Sequence, residues 1–158
     1  MIAKMTRSVS NDFFLRPMEV RDMATVVEIE EISFPRTQRW NKNNLIYNLR
    51  RRNFPVVVIE DRTIVSPPVI GFMIYEPCEN CFGLIDLAVH HDWRNKGIAR
   101  TLLQYLRNTV LEDGQVRNLL ALVPRSLHEA RRFCERNALS VVITDVKGNW
   151  PPDGTRSF

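Results

Sequence analysis

Apolar residues recur along this chain with periods of two and of about 3.6, and these periods predict its elements in order. Short runs rich in β-branched residues are typical of strands, which we expect at 13–16, 56–59, 69–75, 83–89, 119–123 and 141–143. Apolar residues three and four apart are typical of helices, which we expect at 17–33, 41–51 and 97–111. A capping box at Ser126–Glu129 predicts one more helix, running through Cys134. The strands within 56–89 follow one another closely enough to form an antiparallel meander.

Length and composition indicate a single globular domain. With 158 residues, 44% of them hydrophobic and 25% charged, the chain can bury a core as one domain over 1–158. We expect 1–11 to be a flexible tail. No apolar run approaches the roughly 20 residues that span a membrane, and residues 1–10 lack the apolar centre of a secretion signal. We therefore expect a cytoplasmic protein with no membrane partner.

The three cysteines are too few, and odd in number, for a disulfide framework. Cys78 and Cys81 form a Cys-x-x-Cys, a spacing that zinc sites and redox centres use. The chain has no second such pair, and Glu79-Asn80 between two strand-like runs is typical of a turn. We interpret the two cysteines as hairpin residues and expect no metal.

A net charge of +4 favours an anionic partner. Basic residues cluster at Arg36 with Arg39, at 50–52 and at 131–132. Such clusters suit a phosphate-bearing cosubstrate, an acidic peptide or nucleic acid. Aromatic residues do not interleave with the basic runs, so a nucleic-acid partner is not indicated. At 131–132 we expect the solvated face of a helix.

The segment Arg94-Asn95-Lys96-Gly97-Ile98-Ala99 lies between a predicted strand and a predicted helix and has the composition of a phosphate-binding turn. At such a junction several backbone N–H groups point to one spot beside a helix N-terminus, where the helix dipole favours an anion. Gly97 lets a phosphate approach the backbone closely, and Ala99 is small enough not to block it. Arg94 and Lys96 add positive charge at the rim. The segment therefore predicts a pyrophosphate site.

This segment resembles motif A of the GNAT acetyltransferases, Arg/Gln-x-x-Gly-x-Gly/Ala, which binds the pyrophosphate of acetyl-CoA. The similarity to RimI-type N-terminal acetyltransferases extends to the element order and to four further segments, at 15–18, 30–35, 69–72 and 86–94. It implies an α/β (α+β) protein with a single GNAT domain, whose mixed and mostly antiparallel central sheet is flanked by about four helices. The family's fourth and fifth strands, here 83–89 and 119–123, would splay apart and form the cleft.

The resemblance also implies acetyl-CoA as the cosubstrate and assigns its contacts. The pantetheine would lie against Leu87, Ala88 and Val89, with the acyl carbonyl near the Leu87 and Ala88 amides. The pyrophosphate and its rim would involve Arg94, Asn95, Lys96, Gly97, Ile98, Ala99, Arg100 and Thr101.

The acceptor implied by the resemblance is a peptide N-terminus or a small amine. It would lie against Phe34, Arg36 and Trp40, with Tyr47 and the loop at Trp150 nearby. Phe34 and Trp40 equally suit a plug in the turn between the first two helices.

The chain departs from the family at several positions, among them Leu122, Leu127 and Cys134. The family's base on the fifth strand aligns with Leu122, its CoA-contacting Asn with Leu127, and its thiolate-protonating Tyr with Cys134. Cys134 is either a substitute proton donor acting through a water or a buried hydrophobe. Asp86 is the only carboxylate inside its strand; it either binds or deprotonates the acceptor amine, or is a structural hydrogen-bond acceptor.

These departures leave three functions open. An N-acetyltransferase acting on a protein α-amine explains motif A, and an α-amine with a pKa of about 7.7–8.0 needs less help from a base than a lysine near about 10.4. A GNAT-fold acyl-CoA-binding sensor or scaffold with weak or no catalysis would explain these three departures. A nucleic-acid module would use the basic surface alone. We expect the transferase, as a monomer or homodimer.

Overall fold

The computed structural model describes residues 7–8, 12–50, 55–114 and 118–145, which form a seven-stranded sheet with four α-helices against its faces. The strands are β1 (Arg7–Ser8), β2 (Phe13–Pro17), β3 (Val56–Asp61), β4 (Val69–Cys78), β5 (Cys81–Val89), β6 (Asn118–Pro124) and β7 (Ser140–Thr144). The helices are α1 (Met23–Ser33), α2 (Lys42–Arg50), α3 (Ile98–Asp113) and α4 (His128–Arg136). Within these residues no helix is both long and apolar enough to cross a bilayer.

The strands lie side by side in chain order, and their directions divide the sheet into two parts. Neighbouring strands from β1 to β5 are antiparallel, whereas β5, β6 and β7 are parallel to one another. Parallel neighbours need long crossovers, and α3 and α4 supply them. The predicted mixed and mostly antiparallel sheet is therefore confirmed. Because β1 adds a strand at the edge, the family's fourth and fifth strands are β5 and β6.

Two sequence-based expectations differ from the structure at element ends. Arg7 and Ser8 pair with Leu15 and Phe14, so this part of the predicted tail belongs to the sheet. The predicted capping box at Ser126 is wrong: Leu127 is the N-cap of α4 and no side chain caps it. The Leu127 N–H instead donates to the Pro124 carbonyl at 2.9 Å, which starts the helix one residue later. The predicted loop at Trp150 and the basic residues at 51–52 lie outside the described residues.

Helix α1 is shorter than its apolar pattern predicts, because Val20–Asp22 form a separate 3-10 turn. The helical spacing predicted that Val20 and Ile32 would lie in the core. They do not, because Val20 is 82% exposed and Ile32 is 42% exposed. Val26 and Ile29 are fully buried and face the sheet instead.

Two hydrophobic cores lie on opposite faces of the sheet. On one face, α3 and α4 cover residues that include Leu84 and Val89 of β5. On the other face, α1 and α2 cover residues that include Ile85 and Ala88 of the same strand. Strand β5 therefore contributes to both cores, and the rigid support on each face fixes its course at the cleft.

Buried charged groups hold α1 at both ends. Before its N-terminus, Arg16 of β2 donates to both carboxylate oxygens of Asp22, at 2.6 and 2.8 Å, and to Glu60 of β3 at 2.5 Å. Near its C-terminus, fully buried Glu30 accepts the Trp40 backbone N–H at 2.7 Å. Hydrogen bonds to charged groups are stronger than neutral ones, so α1 is fixed against the sheet and the segment after it is fixed to α1.

The Cys-x-x-Cys lies in a β-hairpin, as predicted. Cys78 ends β4, Cys81 begins β5, and the two are register partners across the turn. They are also joined by a disulfide, which the cysteine count did not suggest.

Candidate active site

A cleft opens where β5 and β6 separate. Their parallel pairing runs from Cys81 with Asn118 to Leu84 with Ala121 and continues no further in the register. Beyond this point the cleft-facing backbone of β5 is outside the ladder, so its N–H and C=O groups are available to a ligand lying alongside it. The resulting cleft has a volume of about 1070 Å³ and runs from the loop before α3 to the C-terminal end of α1.

A β-bulge in β5 sets which side chains face each side of the sheet. Ile74 of β4 pairs with Asp86 and Tyr75 pairs with Leu84, so Ile85 is the extra residue. Register partners point to the same face, and the partner Ile74 belongs to the core under α1 and α2. The bulge thus turns Asp86 away from Leu84 and toward the α1 side. Asp86 is 4% exposed and lines the cleft.

The loop before α3 has the backbone shape of an anion site. Asn95 and Gly97 both have positive φ, 62° and 80°, a pattern that helps to aim successive N–H groups at one point. Gly97 is the N-cap of α3, and no side chain caps its first N–H groups. The first turn of α3 therefore keeps unsatisfied donors at the positive end of the helix dipole. A Cβ built on Gly97 would meet no atom within 4 Å, so the space in front of the loop is open.

Arg94 holds the start of this loop to two other elements. Its Nε donates to the Val89 carbonyl at the end of β5 at 3.0 Å, and its Nη2 donates to Ser33 Oγ at the end of α1 at 3.0 Å. The Val89 carbonyl thus already has a protein donor, which leaves one lone pair for a ligand.

Three further arginines line the cleft, namely Arg100 at the start of α3 and Arg132 and Arg136 on α4. Arg132 and Arg136 are four residues apart and so share one face of the helix. Within the described part of the chain none of the three has an ion-pair partner, whereas the neighbouring Arg131 pairs with Glu135 at 2.8 Å. Sequence reasoning missed the role of Arg132, which it placed on a solvated face. The spacing of four residues between Arg132 and Arg136, which places both on one helix face, was the available signal.

The structure brings most of the predicted site residues to this cleft. Those that line it are Phe34, Asp86, Leu87, Ala88, Val89, Arg94, Asn95, Gly97, Ile98, Ala99, Arg100 and Cys134. Lys96 and Thr101 do not line it; the Thr101 N–H donates to the Gly97 carbonyl at 3.0 Å inside the first turn of α3. Arg36 is exposed and lies outside the lining. Trp40 is 8% exposed and packs in the α1 and α2 core, so it supports the wall rather than lining it.

Two of the positions that depart from the family, Leu122 and Cys134, lie in apolar surroundings. Leu122 is 5% exposed and lines the cleft from β6. Cys134 is 5% exposed and packs in the core under α3 and α4. Burial, with a smaller contribution from the charge of Glu135, raises the pKa of the Cys134 thiol to about 11. The thiol is therefore neutral at pH 7.

One group of described side chains has atoms close enough to hold a metal ion. The ligand atoms of His90, His91 and Asp92 lie within 4.8 Å of one another. His90 Nδ1 already accepts the Asp92 N–H at 3.2 Å, and His91 Nε2 lies 3.0 Å from Asp92 Oδ1. These contacts show that the three side chains are bonded to one another in the turn after β5. That this group holds no metal ion stays a prediction.

Comparison with known protein families agrees with the resemblance that motif A carries. The profile of the acetyltransferase (GNAT) family matches residues 18–138. The chain belongs to this family. Among curated protein sequences none matches it.

Solved structures of acetyltransferases share the fold. Ribosomal-protein-S18-alanine N-acetyltransferase from Escherichia coli is 20% identical, with a TM-score of 0.63 over 80% of this chain and 76% of that one. Arabidopsis thaliana NAA60, in complex with a bisubstrate analogue, is 16% identical, with a TM-score of 0.67 over 80% and 82%. The paia N-acetyltransferase from Thermoplasma acidophilum, in complex with coenzyme A, is 17% identical, with a TM-score of 0.65 over 79% and 87%.

Proposed function

We propose that this protein is an acetyl-CoA-dependent N-acetyltransferase whose acceptor is a protein N-terminal α-amine. The observation that carries the proposal is the single cleft that joins the anion loop at 94–99 to Asp86 through the opening between β5 and β6. A cosubstrate with a pyrophosphate at one end and a reactive acyl group at the other spans such a cleft.

The contacts available in the cleft follow the chemistry of acetyl-CoA. The open N–H groups at Gly97, Ile98 and Ala99 would bind the pyrophosphate. The pantetheine amides would pair with the free edge of β5 at Leu87 and Val89, like an added strand. The unpaired Arg132 and Arg136 suit the remaining phosphate of CoA.

The reaction needs little covalent participation from the protein. The acceptor nitrogen attacks the thioester carbon, an N–C bond forms, and the C–S bond breaks. A backbone N–H of Leu87 or Ala88 would stabilise the oxyanion. Asp86 would hold the acceptor ammonium and accept its proton, since it is buried on the side of the sheet where Phe34 lines the cleft. The CoA thiolate would take a proton from solvent.

One observation and one chemical argument favour an α-amine over a lysine side chain as the acceptor. Leu122 puts an apolar side chain where a strong base would otherwise stand on β6. An α-amine with a pKa of about 7.7–8.0 is already roughly one-tenth neutral at pH 7, whereas a lysine near about 10.4 needs a stronger base. The geometry therefore suits an acceptor that is easy to deprotonate. A cytoplasmic location and a role independent of nucleic acid stay predictions.

The test combines binding and turnover. Calorimetry with CoA and acetyl-CoA measures the cosubstrate site, and incubation with acetyl-CoA and a library of peptides with free N-termini, under thiol detection, measures transfer. Binding together with thiol release on some peptides supports the proposal and identifies the acceptor class. Binding without release on any peptide or small amine would instead indicate an acyl-CoA sensor. No binding would overturn the cosubstrate site, and salt-dependent RNA binding in its place would indicate a nucleic-acid module.

A further inference from the structure

The basic residues of the chain are unevenly distributed. Residues 34–59 contain six of its 22 lysines and arginines and none of its 18 aspartates and glutamates. The charge of this one segment exceeds the net charge of +4, and the rest of the chain is slightly acidic. The segment begins at Phe34, which lines the cleft on the proposed acceptor side. An excess of one charge at the mouth of a site attracts ligands of the opposite charge.

Three arginines at the cleft mouth are available to such a ligand. Arg36 is exposed, and within the described part of the chain no carboxylate pairs with it. Arg39 has a long contact with Glu31, at 3.9 Å. Arg125 follows the cleft-lining end of β6 and has an equally long contact with exposed Asp145. Exposed pairs at such distances are weak, so all three guanidinium groups keep donors for a further carboxylate.

The 3-10 turn at 36–38 is held to two other elements. Gln38 Nε2 donates to the Asp145 carbonyl, just after β7, at 3.4 Å. Two residues along the chain, the Trp40 N–H donates to buried Glu30 of α1 at 2.7 Å. The charges that this turn carries are therefore held near fixed positions, and less freedom is lost when a ligand binds to them.

We propose that the acceptor of this protein is an acidic N-terminus, whose α-amine enters the cleft at Asp86 and whose following residues have Asp or Glu side chains. Arg36, Arg39 and Arg125 bind those carboxylates. This inference rests on the proposed function, because it concerns the acceptor of the same site. Arg36 lies outside the lining of the cleft, where the chain emerges once the first residue is inside. An extended chain advances about 3.3 Å per residue, so the second to fourth residues pass the turn.

The two signs of charge on this side of the cleft favour a peptide over RNA. Asp86 is a buried carboxylate that lines the cleft, so it attracts an ammonium group and repels a phosphate. The arginines outside the cleft have the opposite preference. A peptide with a free α-amine and carboxylate side chains carries both charges in this order, whereas the RNA backbone carries negative charge only.

Matched peptides test the inference. They begin with Ala, Ser or Met and differ only at their second to fourth positions, which are all Asp, all Asn or all Lys. With acetyl-CoA and thiol detection, kcat/KM for the Asp peptide should exceed that for the Asn peptide by about tenfold, since each exposed ion pair contributes up to about fivefold. The Lys peptide should be the poorest. The preference should fall to within about threefold in 1 M NaCl, where the Debye length is about 3 Å.

Charge reversal at Arg36 tests the residue itself. Arg36→Glu should reduce the preference for Asp over Asn to within about twofold and raise kcat/KM for the Lys peptide by about threefold, whereas Arg36→Lys should keep the wild-type order. Arg21→Glu is the matched control, because it changes the net charge equally on an exposed turn at the other end of α1. It should behave as the wild type. Fluorescence anisotropy of labelled peptides, with CoA bound, makes the same comparison without turnover.

The outcomes separate this inference from the proposed function. Equal kcat/KM for the three peptides, or a preference for Asp that Arg36→Glu leaves unchanged, would overturn the inference only. Binding of the Asp peptide through Arg36 without any acetylation would overturn the proposed function and support the recognition of acidic peptides. Neither binding nor acetylation of any peptide would overturn both. RNA binding that Arg36→Glu abolishes, with no preference among the peptides, would overturn the inference and indicate a nucleic-acid partner.

Discussion

On the proposed cosubstrate side of the cleft the candidate anion site is made from the backbone of one continuous segment, 94–99, whereas on the proposed acceptor side Ser33, Phe34 and Asp86 come from elements distant in the chain. The first kind of site depends on local conformation, namely positive φ at Asn95 and Gly97 and an uncapped helix start. The second depends on a bulge and on how α1 is held against the sheet. Substitutions on the two sides should therefore fail in different ways.

The largest effect is expected from Gly97→Glu, which puts a negative charge where we propose that the pyrophosphate binds. Juxtaposed like charges cost several kcal/mol, so CoA affinity should fall by at least about a hundredfold in calorimetry. Gly114→Glu is a matched control, because Gly114 also has a positive φ, 68°, and open space around it, but lies at the far end of α3. Equal loss of CoA affinity in the two variants would show that strain, and not the anion site, is responsible.

On the acceptor side, Asp86→Asn keeps the shape of the side chain but removes the charge and the base. We expect kcat/KM for an N-terminal peptide to fall by about a hundredfold, the lower end of the range for a positioned acid or base. The CoA Kd should stay within about twofold, because Asp86 faces the α1 side of the sheet and not the anion loop. Steady-state kinetics beside calorimetry measure both. Full activity in a folded Asp86→Asn protein would make Asp86 a structural group only.

A smaller effect is expected when the unpaired arginines are removed from α4. Arg132→Ala with Arg136→Ala should reduce the preference for CoA over dephospho-CoA by about tenfold, since each lost charged hydrogen bond weakens binding. Arg131→Ala on the same helix is the control, because Arg131 pairs with Glu135 and does not line the cleft. Competition binding with the two nucleotides measures the ratio. An unchanged ratio in the double variant would place the third phosphate elsewhere.

The smallest effect is expected at Cys134. Burial raises the pKa of its thiol to about 11, so it is a weaker acid than an ordinary thiol near about 8.5. Proton transfer from Cys134 to the CoA thiolate would run uphill, and we therefore assign Cys134 to packing. Cys134→Ala should keep kcat within about threefold and leave the shape of the pH–rate profile between pH 6 and 9 unchanged, roughly as expected for a group that does not titrate there. A loss of about a hundredfold, rescued by Cys134→Ser, would restore it as a proton donor.

Local patterns accounted for much of the fold and of the cosubstrate side. The strands from β2 to β7 and helices α2 and α3 lie close to where periodicity predicts them, because each buries a face that its own spacing defines. The start of α1 was predicted too early, at residue 17, because the apolar spacing continues into the 3-10 turn at Val20–Asp22, where Val20 faces solvent. Trp40 was expected either in the acceptor groove or as a plug between the first two helices, and its burial under α1 favours the plug.

By itself, the sequence determined the order of the elements, the hairpin at Cys78 and Cys81, and the anion loop at 94–99, because each depends on residues that are neighbours in the chain. Only the tertiary structure decided the acceptor side. Strict alternation along β5 would place Asp86 on the same face of the sheet as Leu84. The bulge at Ile85 instead places Asp86 on the opposite face. The meeting of Ser33 with Arg94, and of α4's arginines with the cleft, likewise depends on packing between distant segments, which no local pattern encodes.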